Sequence, residues 1–204
     1  MARRTATIDE AMGHAVEVIN ESGVGGLSVS EIARRMGIKA PSLYKYFPSL
    51  HAIYDELFRR GMTDIAAAVE ASSVGEPEGL DRLVVGSRSM VRWSVNNQAL
   101  AQLMFSRPVP GFVPSDESFA PSLALWQRFR YDLRIAARKR QLSRRADSDD
   151  ALRLLTIVLA GIIAQQLANQ PAATYETGAF TALTDGAIDM FLTHYAPRHR
   201  KEKS

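Results

Sequence analysis

Gly37-Ile38-Lys39-Ala40-Pro41-Ser42-Leu43-Tyr44-Lys45-Tyr46-Phe47-Pro48-Ser49 puts two tyrosines, two lysines and a serine between a glycine and a proline. Glycine past a helix end and proline beyond it are stop signals. Residues 39–47 therefore read as a short helix, with Pro41 in its first turn, where a missing N–H costs least. Leu43 and Phe47 are four apart and share one face. The polar tips are left on the other faces. A helix that only fills a core has no use for them; a helix that something else must read does.

Upstream, Ser28-Val29-Ser30-Glu31 fits the S-x-x-E capping box. It opens a helix that carries Ile32, Ala33 and Met36 inward and stops at Gly37. Helix, glycine turn and short helix make the helix-turn-helix pattern. In it the second helix enters the major groove, with its N-terminal residues against base edges. Further back, Ile8, Met12, Ala15, Val16 and Ile19 recur at helical spacing, which predicts a first helix over 8–22. Downstream, Pro48 breaks the chain and Ser49 caps a fourth helix over 50–71, built on Leu50, Ile53, Tyr54, Leu57 and Phe58.

The side chains of 39–46 suit DNA. Ser42 donates or accepts at a base edge, and Ala40 and Pro41 pack on a thymine methyl. Tyr44 and Tyr46 offer phenolic O–H groups to phosphates, and Lys45 supplies charge. Lys39 stands where a Ser or Asp cap is usual, so a phosphate can take the first N–H groups. Arg3 and Arg4, ahead of the first helix, read either as basic arms that touch the minor groove or phosphates or as a frayed, solvated terminus.

The run Leu27-Ser28-Val29-Ser30-Glu31-Ile32-Ala33-Arg34-Arg35-Met36-Gly37-Ile38, followed by Ser42-Leu43-Tyr44-Lys45-Tyr46-Phe47-Pro48-Ser49, resembles the DNA-binding head of the TetR family of transcriptional regulators. The resemblance covers residues 5–61. It implies an all-α protein of about nine helices: a three-helix head over 1–48, linked through the helix 49–71 to a ligand-binding and dimerisation body within 49–204. It also implies a helix-turn-helix from Ser28 to Phe47 with Pro41, Ser42, Tyr44, Lys45 and Tyr46 as DNA contacts; with Lys39 and Ala40 from the reading of the residues above, the candidate DNA site is Ser28, Lys39, Ala40, Pro41, Ser42, Tyr44, Lys45 and Tyr46. One position departs: the family usually has Lys at the start of the fourth helix, and this chain has Leu50. That phosphate contact is lost, or His51 or Lys45 takes it over, and weaker non-specific binding is expected, not loss of DNA binding.

The 204 residues, 46% of them hydrophobic, suffice for one or two domains with a sizeable core. The net charge of +3 is mildly basic. With no cysteine, disulfides and thiolate chemistry are excluded. The four histidines show no metal spacing, and there is no GxSxG elbow or Walker loop, so an enzyme is not expected and no cofactor is implied. The opening MARRTATIDE lacks an apolar signal core, and the apolar run IVLAGIIA at 157–164 is too short for a bilayer. A cytoplasmic protein with no membrane partner is expected.

The body reads as five helices near 80–96, 99–105, 118–141, 149–169 and 176–195. The dimer seam is expected on the last two, through Leu155, Leu159, Ile162, Phe180, Leu183, Ala187 and Phe191, with Gly161 permitting close helix approach. Candidate pocket residues are Trp93, Met104, Phe105, Phe112, Trp126 and Phe129, with Gln165 and Gln166 as polar groups on an apolar helix. The proline-rich segment 107–114 reads as a gate or a surface connection. The basic run from Arg128 to Arg145 reads as a solvated face, with attraction of an acidic ligand or nucleic acid as the alternative, and Arg198-His199-Arg200-Lys201 as a disordered tail.

The expected function is a ligand-responsive regulator, a repressor by default. It binds palindromic operator DNA as a homodimer and is released by a small-molecule effector of unstated identity. The alternatives are a TetR-like protein acting through protein contacts, or an enzyme on a helical fold.

Overall fold

The structure is a computed structural model that describes residues 2–197; Arg198, His199, Arg200 and Lys201 lie outside the described residues. Among the described residues there are nine α-helices, three short 3-10 turns and no strand. The all-α class follows from the helical spacing of the apolar residues. The described residues form two compact units, one of residues 2–63 and 97–121, the other of 64–96 and 122–197. The described part of the expected head, residues 1–48, lies wholly in the first.

In the first unit, α1 (Ala2–Ser22) packs on α2 (Val29–Arg35), and α2 on α3 (Ala40–Leu43). Gly23 has φ 72°, so the stop after α1 is a left-handed turn that suits glycine. α4 (Leu50–Ser72) is capped by Ser49, whose Oγ accepts from the Ala52 N–H at 3.1 Å. The buried Tyr54 hydroxyl of α4 donates to the Val24 carbonyl at 2.7 Å, pinning α4 to the turn after α1. Arg60 of α4 pairs with Asp9 of α1 at 2.7 Å. α6 (Gln98–Ser106) packs on α1. Gly61 of α4 lets Met104 of α6 approach: an added Cβ would meet the Met104 sulfur.

In the second unit, α5 (Leu80–Asn96) packs on α8 (Asp149–Asn169) and α9 (Thr184–His194), and α8 on α9. α7 (Asp116–Arg138) is the remaining helix; Pro121 stands inside it, at the end of the first unit. Gly86 of α5 fits under Val69 and Phe129, where a Cβ would sit 3.2 and 3.4 Å away. Asp132 of α7 is fully buried and accepts from the Gly79 N–H at 3.3 Å. Burial raises its carboxyl pKa, and the nearby Arg128 and Arg82 guanidiniums partly offset that rise.

Several boundaries differ from expectation, α7 ending at Arg138 rather than 141 among them. α1 begins at Ala2, so Arg3 and Arg4 are helical rather than free arms. α3 is helical only over Ala40–Leu43 and continues as turns through Tyr46. The last helix begins at Thr184, because Phe180 and Thr181 are held by a side chain of α8 described below.

α8 has 21 residues and a mean hydropathy of 1.7 over its most apolar window, which by length and composition is enough to cross a bilayer. The eight-residue apolar run understated it. Here α8 is a packed helix: Leu155, Leu159 and Ile163 are buried against its neighbours.

Candidate nucleic-acid interface

The head presents α3 through a chain of local devices. Ser28 has extended φ and ψ, and its Oγ accepts from the Glu31 N–H at 3.2 Å, which starts α2. The return half of the capping box is absent. The Glu31 carboxylate instead accepts from Arg34 Nη2 at 2.7 Å and Arg35 Nε at 2.9 Å. Arg35 then reaches α1, donating to Glu21 at 2.9 Å. These guanidiniums hold the Glu31 carboxyl down at about 2. The spacing E-x-x-R-R makes this clamp legible at i+3 and i+4.

α2 ends in a Schellman motif. Gly37 has φ 67°, its N–H donates to the Arg34 carbonyl at 3.1 Å, and the Ile38 N–H donates to the Ala33 carbonyl at 3.0 Å. The turn aims the chain into Lys39, which is extended and makes no side-chain cap bond. Leu43 and Phe47 are buried and anchor the segment. Lys39, Pro41, Tyr44 and Lys45 are exposed, Tyr44 by 50%. Ala40, Ser42 and Tyr46 are half-buried. Ser28 is half-buried and occupied as a cap, so it holds α2 rather than facing outward.

A contact missed in the sequence completes the face. The Arg4 guanidinium of α1 lies 5.6 Å from the centre of the Tyr46 ring, a cation–π contact. It joins the first turn of α1 to the end of the α3 segment. Once α1 is extended back to Ala2, Arg4 falls within reach; the apolar period that marks α1 begins only at Ile8. His51 is exposed, with its ring centre 6.0 Å from that of Phe112.

The candidate pocket residues are distributed differently from expectation. Met104, Phe105 and Phe112 belong to the first unit; Trp93, Trp126, Phe129, Gln165 and Gln166 belong to the second. Met104 is buried against Gly61. Phe112 packs on Tyr54, ring centres 5.8 Å apart, so its segment is docked on α4. Phe105 and Trp126 are exposed, Trp93 is half-buried and Phe129 is buried. Gln165 is exposed and accepts from Asn169. Gln166 is fully buried, and its amide is satisfied inside the chain. Oε1 accepts from the N–H groups of Phe180 at 3.2 Å and Thr181 at 3.3 Å, and Nε2 donates to the Gln170 carbonyl at 3.0 Å. It closes the turn before α9 through these three bonds.

The expected seam residues also divide. Leu155, Leu159 and Phe191 are at most 2% exposed and form the intramolecular core. Ile162, Phe180 and Ala187 are half-buried, and Leu183 is exposed. The apolar face left outward carries Ile157, Gly161 and Ala164 on α8, with Leu183 and Met190 at α9. A helix apolar all round gives no sign of which side its own chain covers.

Residues 12–57 match the family model described as "Bacterial regulatory proteins, tetR family". The chain is 31% identical over 83 residues to the uncharacterized HTH-type transcriptional regulator YobS of Bacillus subtilis (strain 168), covering 41% of this chain and 43% of YobS. The chain thus spans less than half the length of the curated relatives it matches. A protein with unknown function from Rhodococcus sp. RHA1 shares the fold at a TM-score of 0.78 and 19% identity, covering 93% of this chain and 95% of that one. FadR from Bacillus subtilis, in complex with stearoyl-CoA, shares it at 0.71 and 16%, covering 90% and 97%. The family model thus covers the head residues that carry the resemblance, and the solved structures share the fold.

Proposed function

We propose that this chain, with its TetR-family head, is a transcriptional regulator that binds operator DNA as a homodimer and responds to a small molecule. The observation that carries the reading is the outward face of the α3 segment. Lys39, Pro41, Tyr44 and Lys45 are exposed on a segment only two turns long, fixed from behind by Leu43 and Phe47. Pro41 and Ser42 lie at the N-terminal end, where such a helix meets base edges, and Tyr44 and Lys45 reach phosphates. One head reads few bases; two heads in a dimer reach half-sites roughly 34 Å apart.

The dimer seat that fits is the exposed apolar face of α8 and α9, around Ile157 and Met190. The effector class to test first is the acyl-CoA thioesters, supported by the fold shared with a FadR that holds stearoyl-CoA. Coupling of this kind is typically about 1–3 kcal/mol, or about 5–150-fold in operator affinity. α4, which runs from residue 50 to 72 without a break, is the element to carry it.

The test is selection of bound sequences from a random DNA pool with the purified protein at stated salt. A palindrome with half-sites one turn apart is expected. A folded dimer that enriches no motif, with and without acyl-CoA, overturns the reading. Acyl-CoA titrated into the selected complex then tests the effector class: release supports it, and unchanged affinity removes that class.

A further inference from the structure

Three arginines at and just beyond the end of α7 have no partner among the described residues. Among the described residues, the guanidiniums of Arg138, Arg140 and Arg144 make no ion pair, hydrogen bond or ring contact. Their neighbours in the same basic run are occupied. Arg130 pairs with Asp147 and Asp149, Lys139 donates to the Glu78 carbonyl at 2.7 Å, and Arg145 lies 5.9 Å from the centre of the Tyr195 ring. The three left over do not point from a convex face. They line one open depression of about 670 Å³, together with Ser143 and with Ala137, Leu142 and Pro197. The one carboxylate in the lining, Asp147, is already engaged by Arg130.

The backbone adds a second, independent observation. α7 ends in the same Schellman motif as α2. The Gln141 N–H donates to the Ala136 carbonyl at 2.9 Å, and the Arg140 N–H to the Ala137 carbonyl at 3.2 Å. At the left-handed position α2 has Gly37, with φ 67°; α7 has Arg140, with φ 57°. A side chain there is disfavoured for an L-residue. Stability alone would put glycine at 140. A helix C-terminus favours a nearby cation, but one or two meet that need. Three repelling cations around one depression, one of them on a strained backbone, ask for an anion.

We infer that this depression is a binding site for a small phosphorylated anion, distinct from the DNA-facing head. Arg138, Arg140 and Arg144 supply charge-assisted hydrogen bonds to phosphate oxygens, which suit the planar guanidinium fork. Ser143, whose hydroxyl makes no bond among the described residues, adds a neutral donor. Ala137, Leu142 and Pro197 give the site an apolar floor that suits an attached organic group. The volume fits a small di- or polyphosphate compound.

The experiment is isothermal titration of the full chain with inorganic pyrophosphate at low salt, with coenzyme A as a second probe. Saturable binding at one site per chain is expected. Arg138→Ala and Arg144→Ala should each weaken it about tenfold, the loss of one charge-assisted bond. Arg153→Ala, an exposed arginine on α8, should leave it unchanged. Arg140→Gly should raise the thermal midpoint while weakening pyrophosphate binding, two effects of opposite sign that a purely structural residue would not give. Competition by coenzyme A that is lost in the variants would support a nucleotide-borne phosphate; pyrophosphate binding without such competition would support a simple phosphate ligand. No saturation in the wild type, or an equal loss in Arg153→Ala, would overturn the site. So would random-sequence duplex DNA that binds through the same arginines where pyrophosphate does not.

Discussion

Asp55 of α4 accepts from Ser115 twice, from the backbone N–H and from the hydroxyl, each at 2.8 Å, and its second oxygen also takes the Ser118 hydroxyl at 2.8 Å. One carboxylate thus fastens the end of the proline-rich segment and the first turn of α7 to the fourth helix. The arrangement is electrostatically sound, since a negative charge beside a helix N-terminus is favoured. It makes this end of the segment a fixed strap, where the sequence left a gate and a surface connection both open. Asp55→Ala leaves three donors without their acceptor. The expected cost is about 2 kcal/mol, reduced by partial exposure. Chemical denaturation checks it, and Asp55→Asn should recover part of the loss, because its carbonyl still accepts from the backbone.

The Glu31 clamp predicts an acid dependence. Its carboxyl is held at about 2, against 4.5 for the free group, chiefly by hydrogen bonds from Arg34 and then Arg35. The folded pKa is depressed, so the stabilisation is present above about 4.5 and is lost as pH falls toward about 2. Urea denaturation from pH 7 to 2 should show Glu31→Gln less stable than wild type at neutral pH and converging with it in acid. Parallel curves at all pH values would rule the clamp out as a source of stability.

Gln166→Ala should destabilise the second unit by about 2–3 kcal/mol, because two buried N–H groups and a carbonyl lose their partner. Gly178→Ala should do comparable damage. A Cβ at 178 would collide with the Gln166 amide. Neither change should alter effector affinity beyond what partial unfolding explains. An effector affinity lost in a Gln166 variant that stays fully folded would place this residue in the ligand site.

Gln166 also marks where the sequence stops being informative. A glutamine on an apolar helix announces that its amide has partners, not whether they are ligand or backbone. Those partners, Phe180 and Thr181, lie fourteen and fifteen residues away, and they displace the start of α9 to Thr184. The head was legible because its determinants are local: the Ser28 cap, the Gly37 turn, and Leu43 and Phe47 at i and i+4. Arg4 over Tyr46 was not, since it joins residues 42 apart. Nor was the conformation of Arg140, because a left-handed C-terminal residue is advertised by glycine and concealed by arginine.

The proposed DNA face separates two kinds of contact. Lys45→Ala removes one phosphate cation, so binding should weaken evenly across sequences and the slope of log affinity against log salt should shrink by about 1. Ser42→Ala, at the base-reading end, should instead lower the preference for the selected motif while leaving the salt slope unchanged. Electrophoretic or anisotropy titrations at several salt concentrations distinguish the two. If both variants change only the slope, Ser42 is not a base contact.

The outward apolar face of α8 predicts opposite outcomes for residues two positions apart. Ile157 is 66% exposed in the single chain, and Leu155 and Leu159 are at most 2%. Gly161, one turn beyond Ile157, has nothing within 4 Å of an added Cβ, so a partner's backbone has room to approach there. Met190, 75% exposed on α9, extends the same apolar character. A face of this kind costs little in a dimer and invites aggregation without one. Ile157→Glu should therefore leave the fold intact and break the dimer, weakening association at least about 30-fold if Ile157 is an interface hot spot of about 2 kcal/mol. Leu159→Glu should unfold the second unit instead, because it buries a charge in the core. Sedimentation velocity with circular dichroism measures both outcomes. A folded, dimeric Ile157→Glu protein would move the seam elsewhere. A folded monomer that still binds the selected palindrome with full affinity would mean that the heads do not need this interface to read DNA.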